Sequence, residues 1–211
     1  MLSVIIPTLF RCDLLFESLQ RFERDLTDND EVILIDNANS SHDFNSSKIR
    51  HLKYATNNFV NKSWNIGVTE SKNDLLVIAN DDVVFDYNCY KHNIVEFFEN
   101  KPNVGLIGSN KSNLSRPGHI NVNQPTDVLE FVETSKRITG FGMLMAIQKQ
   151  NYIAIPEVLQ VFHGDDYLFD KQKFNNKANY ICSVKMHGYV SKTSEKFLHH
   201  AKLERKHYRA L

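Results

Sequence analysis

The chain is poor in features that would mark several protein classes, and each shortage excludes something. Among 211 residues there are only three cysteines, Cys12, Cys89 and Cys182, far apart and without a CxxC pair. So sparse a set argues against a disulfide framework or a structural zinc site and fits a reducing compartment. No apolar run approaches the roughly 20 residues needed to span a bilayer. The opening MLSVIIPTLF has no basic leader, so no signal peptide is expected. Neither sign of charge prevails: 25 Lys and Arg meet 25 Asp and Glu, a formal net charge of +0. Without a global field, neither nucleic acid nor an anionic membrane is indicated as a partner, and a cytoplasmic protein with a small-molecule ligand is expected. A glycine-rich phosphate loop is missing too. PTLFRCD (7–13) contains neither GxGxxG nor GxxxxGK[ST], which disfavours dinucleotide dehydrogenases and P-loop enzymes.

What is present is an alternation of short apolar runs and helical patterns. LSVII (2–6), EVILID (31–36), residues 49–55 and LLVIA (75–79) read as strands, the first ended by Pro7. Residues 11–25 carry Leu14, Leu15, Leu19 and Phe22 at helical spacing, and 61–71 form a second expected helix. That alternation predicts an α/β fold with a parallel, doubly wound sheet, whose ligand lies beyond the carboxyl ends of the strands. The second half is less regular. Helices are expected over 90–99, 165–173 and 195–209, and strands over 104–109, 137–147 and 180–184. A loop is expected over 111–124. No repeat or linker interrupts the chain, so a single domain is expected.

Polar residues gather where the expected strands end: Pro7 and Thr8, then Asp36, then Asn80, Asp81 and Asp82. Adjacent carboxylates at the mouth of a core repel each other and lose solvation. A hard divalent cation, Mg²⁺ or Mn²⁺, would compensate, since such ions take oxygen ligands and keep positions for water and phosphate. Asn and Asp also end strands as turn residues, so the triplet alone is weak and its position after a central strand strengthens it. Asp36 is placed either to accept hydrogen bonds from a ribose or base or to cap a turn. Asp165 and Asp166 open a helix, as caps or as a pair holding a general base. His187 is either a polar loop residue or a late ligand to a metal already held by carboxylates. The basic residues from 192 to 209 read mainly as a solvated face.

Taken in order, these stretches resemble the family 2 glycosyltransferases of the GT-A fold. SVIIPTLFRCDLLFESL is similar to the family's first strand and helix, with Pro7, Thr8 and the following Arg11; EVILIDN is similar to its second strand. In NNFVNKSWNIGVTESKNDLLVIANDDVVF, residues Asn57, Asn65 and Gly67 precede a strand ending in a D-x-D-like triplet whose first position is Asn80 and last is Asp82. RITGFGMLMAI resembles the strand near donor sugar and acceptor, with Gly140 and Gly142 allowing close approach. GDDYLF resembles the family's acidic segment and MHGYVS its late histidine segment.

The resemblance implies a mostly parallel, Rossmann-like central sheet flanked by helices, with a smaller mixed sheet on the acceptor side. It implies a nucleotide-sugar half (1–110) and an acceptor half (111–211), alone or as one module of a longer protein. It further implies an inverting, Mn²⁺- or Mg²⁺-dependent hexosyltransferase that uses a UDP-sugar such as UDP-glucose. The acceptor would be a glycan or a lipid- or protein-linked hydroxyl, placing the protein in the cytoplasm or peripheral to a membrane. By the same resemblance Asp166 is the base and Asp165 orients the acceptor. Asp82, Asp81 and His187 hold the metal. Pro7, Thr8, Arg11, Asp36, Asn65, Asn80 and Asp81 line the donor site. The rival classes are a non-catalytic nucleotide- or glycan-binding domain and a nucleotidyltransferase of related architecture.

Overall fold

The structure is a computed structural model that describes residues 1–44, 46–115, 128–189 and 197–211. Eight strands form the main sheet. They are β1 (Leu2–Thr8), β2 (Glu31–Asp36), β3 (Ile49–Lys53), β4 (Leu75–Ala79), β6 (Val104–Gly108), β8 (Phe131–Thr134), β9 (Leu144–Gln148) and β10 (Ala178–Cys182). They lie in the order β3-β2-β1-β4-β9-β6-β10-β8. All neighbours are parallel except at β9, antiparallel to both β4 and β6, and at the edge strand β8, antiparallel to β10. A three-stranded mixed sheet combines β5 (Val83–Phe85), β11 (Met186–Gly188) and β7 (Leu114–Ser115) in the order β5-β11-β7. The fold class expected from sequence is therefore the one observed.

Strand alternation divides the core into two layers. Val4, Ile6, Leu34, Val77 and Ala79 face one side. They pack there on α1 (Leu14–Asp25), through Leu15, Leu19 and Phe22, and on α3 (Tyr87–Asn100), through Tyr90, Ile94 and Phe98. Ile5, Leu76, Ile78, Met145 and Ile147 face the other side. Their partners are α2 (Phe59–Glu70), through Trp64 and Val68, and α4 (Gly164–Phe174), through Tyr167, Leu168 and Phe169. Each fully buried Leu or Ile contributes about 1.5–3 kcal/mol, and both faces of the central strands are covered, so their sequences read as continuous apolar runs. A fifth helix, α5 (Leu198–Tyr208), follows.

Several boundaries differ from expectation for identifiable reasons. Pro7 does not end β1 but pairs with Ile35 inside it. The carbonyl of Thr8 accepts from Asn37 on the β2 side. Pro7 therefore turns its nitrogen toward β4, whose pairing with β1 ends at Ile5, and no donor is missed there. The strand expected over 137–147 begins only at Leu144; Phe141–Met143 is a 3-10 turn. The expected loop over 111–124 opens as a 3-10 turn and β7, and its residues 116–124 lie outside those described. Residues 195 and 196 of the expected last helix, and Val190 and Ser191 of the MHGYVS segment, also lie outside them.

Gly67 places α2 against the sheet. A Cβ there would collide with the Ile5 side chain, so glycine is what lets the helix lie this close to β1. Asn65, two residues earlier, uses both ends of its side-chain amide. It donates to the carbonyl of Ile155 at 2.8 Å and accepts from Ile155 N at 2.9 Å and the Tyr152 hydroxyl at 2.8 Å. Asn65 and Gly67 thus tie α2 to β1 and to the segment that leads into α4.

Candidate active site

β4 leaves the main sheet at Ala79 and the chain enters the small sheet at Val83, so Asn80, Asp81 and Asp82 form the corner between the two sheets. The corner is fixed from three directions. Asn80 N donates to the carbonyl of Met143 at 3.0 Å, Tyr189 N donates to the carbonyl of Asp82 at 3.1 Å, and Ser18 of α1 donates to the carbonyl of Val83 at 2.9 Å. At the tip of β1 the Thr8 hydroxyl donates to Asp81 Oδ2 at 2.7 Å and accepts from Phe10 N at 2.8 Å. Burial pushes the Asp81 carboxyl upward against this hydrogen bond.

Because β9 runs antiparallel to β4, its leading residues reach the same sheet edge as the ends of β1 and β4. There they meet the start of α4. Asp165 and Asp166 occupy its first turn, where the helix dipole favours carboxylates. Gly142 makes the meeting possible, since a Cβ on it would lie only 2.7 Å from Asp165 Oδ2. Arg137 spans both acids, donating through Nη1 to Asp165 Oδ2 at 3.0 Å and through Nε to Asp166 Oδ1. His163 Nδ1 lies 2.8 Å from Asp166 Oδ2. Burial and the Asp166 charge push the Asp165 carboxyl up, and the Arg137 guanidinium opposes them. His163 itself has left-handed backbone (φ 61°) and stacks on Tyr208 of α5, ring centroids 5.1 Å apart. The neighbouring Val161 and Phe162 amides both donate to the buried Glu204 carboxylate of α5, at 3.1 and 2.8 Å.

Between the β4 corner and α4 opens a cavity of about 400 Å³. Its walls include Pro7, Thr8, Asn80, Asp81 and Asp82 on one side and Asp165 and Asp166 on the other, with Trp64, Phe162 and Phe197 supplying apolar surface. Seven residues singled out from sequence therefore share one space. Arg11, Asp36, Asn65 and His187 do not line it. The Asp36 carboxylate is fully buried and caps its own loop, accepting from Ala38 N and Ser40 N at 2.8 Å each and from the Ser40 hydroxyl at 2.7 Å. His51 Nε2 lies 3.3 Å away. Burial raises its pKa, yet the hydrogen bonds and His51 outweigh this and leave it below the ordinary carboxylate value.

The expected metal set of Asp81, Asp82 and His187 does not assemble. His187 lies opposite Val84 on β11, and its Nε2 is 3.3 Å from Glu17 Oε1 of α1. Among the described residues, no three His, Cys, Asp or Glu side chains are gathered so as to hold an ion by themselves. Asn80, Asp81 and Asp82 instead offer hard oxygen ligands from one wall only. That donor set fits a Mg²⁺-like ion that draws its remaining ligands from phosphate and water. Arg137 and His163 were not assigned roles from sequence. His163 is adjacent to the acidic pair, whereas Arg137 meets it from 28 residues away and only the fold reveals the contact.

Comparison with known proteins bears on the fold and the family. A protein of Haemophilus influenzae described as an uncharacterized glycosyltransferase is 28% identical over 168 residues, covering 74% of this chain and 55% of the relative. The chain thus spans about half the length of that curated relative. Structures of S. aureus TarS 1–349, alone and in complex with UDP, superpose with TM-scores of 0.65 and 0.63 at 16% and 17% identity, covering 96% of this chain and 64% of theirs. Mannosyltransferase PcManGT from Pyrobaculum calidifontis, in complex with GDP-Man and Mn²⁺, gives 0.61 at 14% identity, covering 91% of this chain and 57% of its own. At such identities these structures bear on the fold alone. The sequence itself matches the family model Glycosyl transferase family 2 over residues 3–175, a span running from β1 through α4 and containing both walls of the cavity, and the chain belongs to that family.

Proposed function

We propose that the chain transfers a sugar, with inversion, from a nucleoside-diphosphate donor to an acceptor hydroxyl. The observation that carries this reading is the single cavity joining the strand-end triplet Asn80, Asp81 and Asp82 to the carboxylate pair Asp165 and Asp166. A binding module has use for the first group but none for a carboxylate held across the same space. UDP and GDP-Man in the structural neighbours support a nucleotide-sugar donor, and a UDP-sugar is the first choice, with UDP-glucose the first to test.

In this reading Asp82 and Asp81 hold the divalent cation, which when bound supplies positive charge to the departing diphosphate. Asp166 accepts the proton of the acceptor hydroxyl as its oxygen bonds to the anomeric carbon and the diphosphate leaves with the electron pair of the broken bond. Both Asp166 oxygens already have a partner, Arg137 on one and His163 on the other, which fixes the plane of the carboxylate. Each oxygen keeps a second lone pair for the acceptor. Asp165, hydrogen-bonded to the Asp166 amide at 3.0 Å, orients the acceptor side. Thr8 positions Asp81, and Trp64 and Phe162 exclude water from the sugar.

The test is a screen of UDP- and GDP-sugars, measuring released nucleotide with Mn²⁺ and with chelator. Metal-dependent release of the nucleoside diphosphate and free sugar supports the proposal. No release from any donor points to a binding module, and pyrophosphate released from a nucleoside triphosphate points to a nucleotidyltransferase.

A further inference from the structure

Helix α5 lies outside residues 3–175 that match the family, and its two faces are chemically opposed. The inner face carries Glu204, Tyr208 and His200. Glu204 is 2% exposed and holds the Val161 and Phe162 amides, and Tyr208 donates to Asp170 of α4. The outer face carries Lys202, Arg205, Lys206 and Arg209, all exposed. At positions i, i+3, i+4 and i+7 they form one stripe along the helix. Among the described residues none of the four is in an ion pair, and the only acid in α5 is turned inward. Lys202 with Lys206, and Arg205 with Arg209, are like-charge pairs one turn apart, a spacing that destabilises a helix unless an anion lies across it. Leu198, 62% exposed, falls within the same stripe, and Leu203, 55% exposed, flanks it, about 60° beyond Lys206 around the helix.

We propose that α5 docks this protein on an anionic lipid surface. The stripe would face the headgroups, with Leu198 entering the interface among the cations and Leu203 at the stripe's edge. A cationic helix face bearing exposed leucines has the composition of an interfacial helix, and each Lys or Arg near a negative bilayer strengthens adhesion severalfold. Nucleic acid is the less fitting polyanion, because the exposed apolar side chains beside the stripe are leucines where stacking aromatics would be needed. The location gives the contact a use. Phe197, directly before α5, lines the cavity, and the inner face holds the loop that carries His163. If the transferase reading holds, docking α5 brings the acceptor wall of the cavity to the bilayer, where a lipid-linked hydroxyl would be presented.

The experiment is co-sedimentation of the 211-residue chain with vesicles of phosphatidylcholine mixed with phosphatidylglycerol, and with phosphatidylcholine alone. Neither arm depends on turnover. The expected result is salt-sensitive binding to the anionic vesicles only. The K202Q/R205Q/K206Q/R209Q variant should bind at least about a hundredfold more weakly, following a several-fold loss per cation. Its circular dichroism should be unchanged because all four side chains are exposed, and L198S/L203S should weaken binding at high salt as well. Equal binding to both vesicle types, no binding, or undiminished binding by the four-fold variant would each overturn the proposal. So would tight binding to duplex DNA or single-stranded RNA without vesicle binding, or a dimer that L203S disperses.

Discussion

Among the described residues Arg137 is the only cation bridging Asp165 and Asp166, so replacing it by glutamine should produce a destabilisation with a diagnostic pH dependence. With charge centres about 4 Å apart and an effective dielectric of about 20, each attraction is worth roughly 4 kcal/mol before any opposing cost. Desolvation, and screening of side chains that are 31% and 19% exposed, reduce the net contribution to about 1–2 kcal/mol. For a chain of this size that corresponds to a fall in Tm of about 2–8 °C. Burial and the Asp166 charge already push the Asp165 carboxyl up, with Arg137 opposing. Without the guanidinium it rises further, so the folded variant holds the Asp165 proton more tightly than its unfolded chain does. A group raised in this way favours folding at low pH and loses that contribution as pH rises through its folded pKa. The gap in Tm between wild type and R137Q should therefore be small in acid, where the Asp165 carboxyl is protonated, and widen toward neutrality. Thermal unfolding followed by circular dichroism across acid to neutral pH measures it, with R137K as partial rescue, since an ammonium cannot span both acids. Equal Tm values at neutral pH, or a gap that does not change with pH, would refute the bridge as a stabilising element.

Three further outcomes follow from the geometry. D166N should retain nucleotide affinity but lose transfer by about a hundredfold or more, and single-turnover assays beside calorimetric UDP titration separate the two. D82A should lose Mn²⁺-dependent UDP binding, and undiminished affinity by calorimetry would remove Asp82 from the cation site. G67A should cost about 1–3 kcal/mol through overpacking against Ile5, read as a lower denaturation midpoint with unchanged slope.

The legible part of the chain was the part whose signal is local. Continuous apolar runs such as EVILID and LLVIA gave strand positions to the residue, because both of their faces are buried. The small sheet was expected only through the family resemblance, not from its residues: its strands have three, three and two residues, too few for alternation to register. Nor does any pattern announce that β9 runs antiparallel, although that reversal brings Gly142 beside Asp165. Thr8, Asp81 and Asp166 could be found because strand ends and helix starts are visible in sequence. Asp36 was visible too, but its engagement by Ser40, Ala38 and His51 depends on how the following loop folds. The surroundings of His187 were hidden for a related reason. A histidine's chemistry is evident from its name, while its neighbour Glu17 comes from a helix 170 positions earlier.

The reversal at β9 has a consequence for how such a protein can diversify. Ser109, at the end of β6, donates through its amide to the Phe141 carbonyl at 3.2 Å and through its hydroxyl to that of Gly140 at 2.7 Å, and Lys111 N donates to the Thr139 carbonyl at 3.1 Å. The chain that departs at Ser109 therefore returns to the same spot, and the neck is stitched shut by backbone bonds at the cavity rim. Doubling the length of a closed excursion adds only about 0.6 kcal/mol of closure entropy. Between these stitches lie β7 and β8, which pair with β11 and β10, and Arg137, which holds the Asp165 and Asp166 carboxylates, so a change of length is cheap only where it displaces none of these. Such a change leaves the β1–β4 corner where it is, because the neck is closed at Ser109 and Lys111 before the excursion begins.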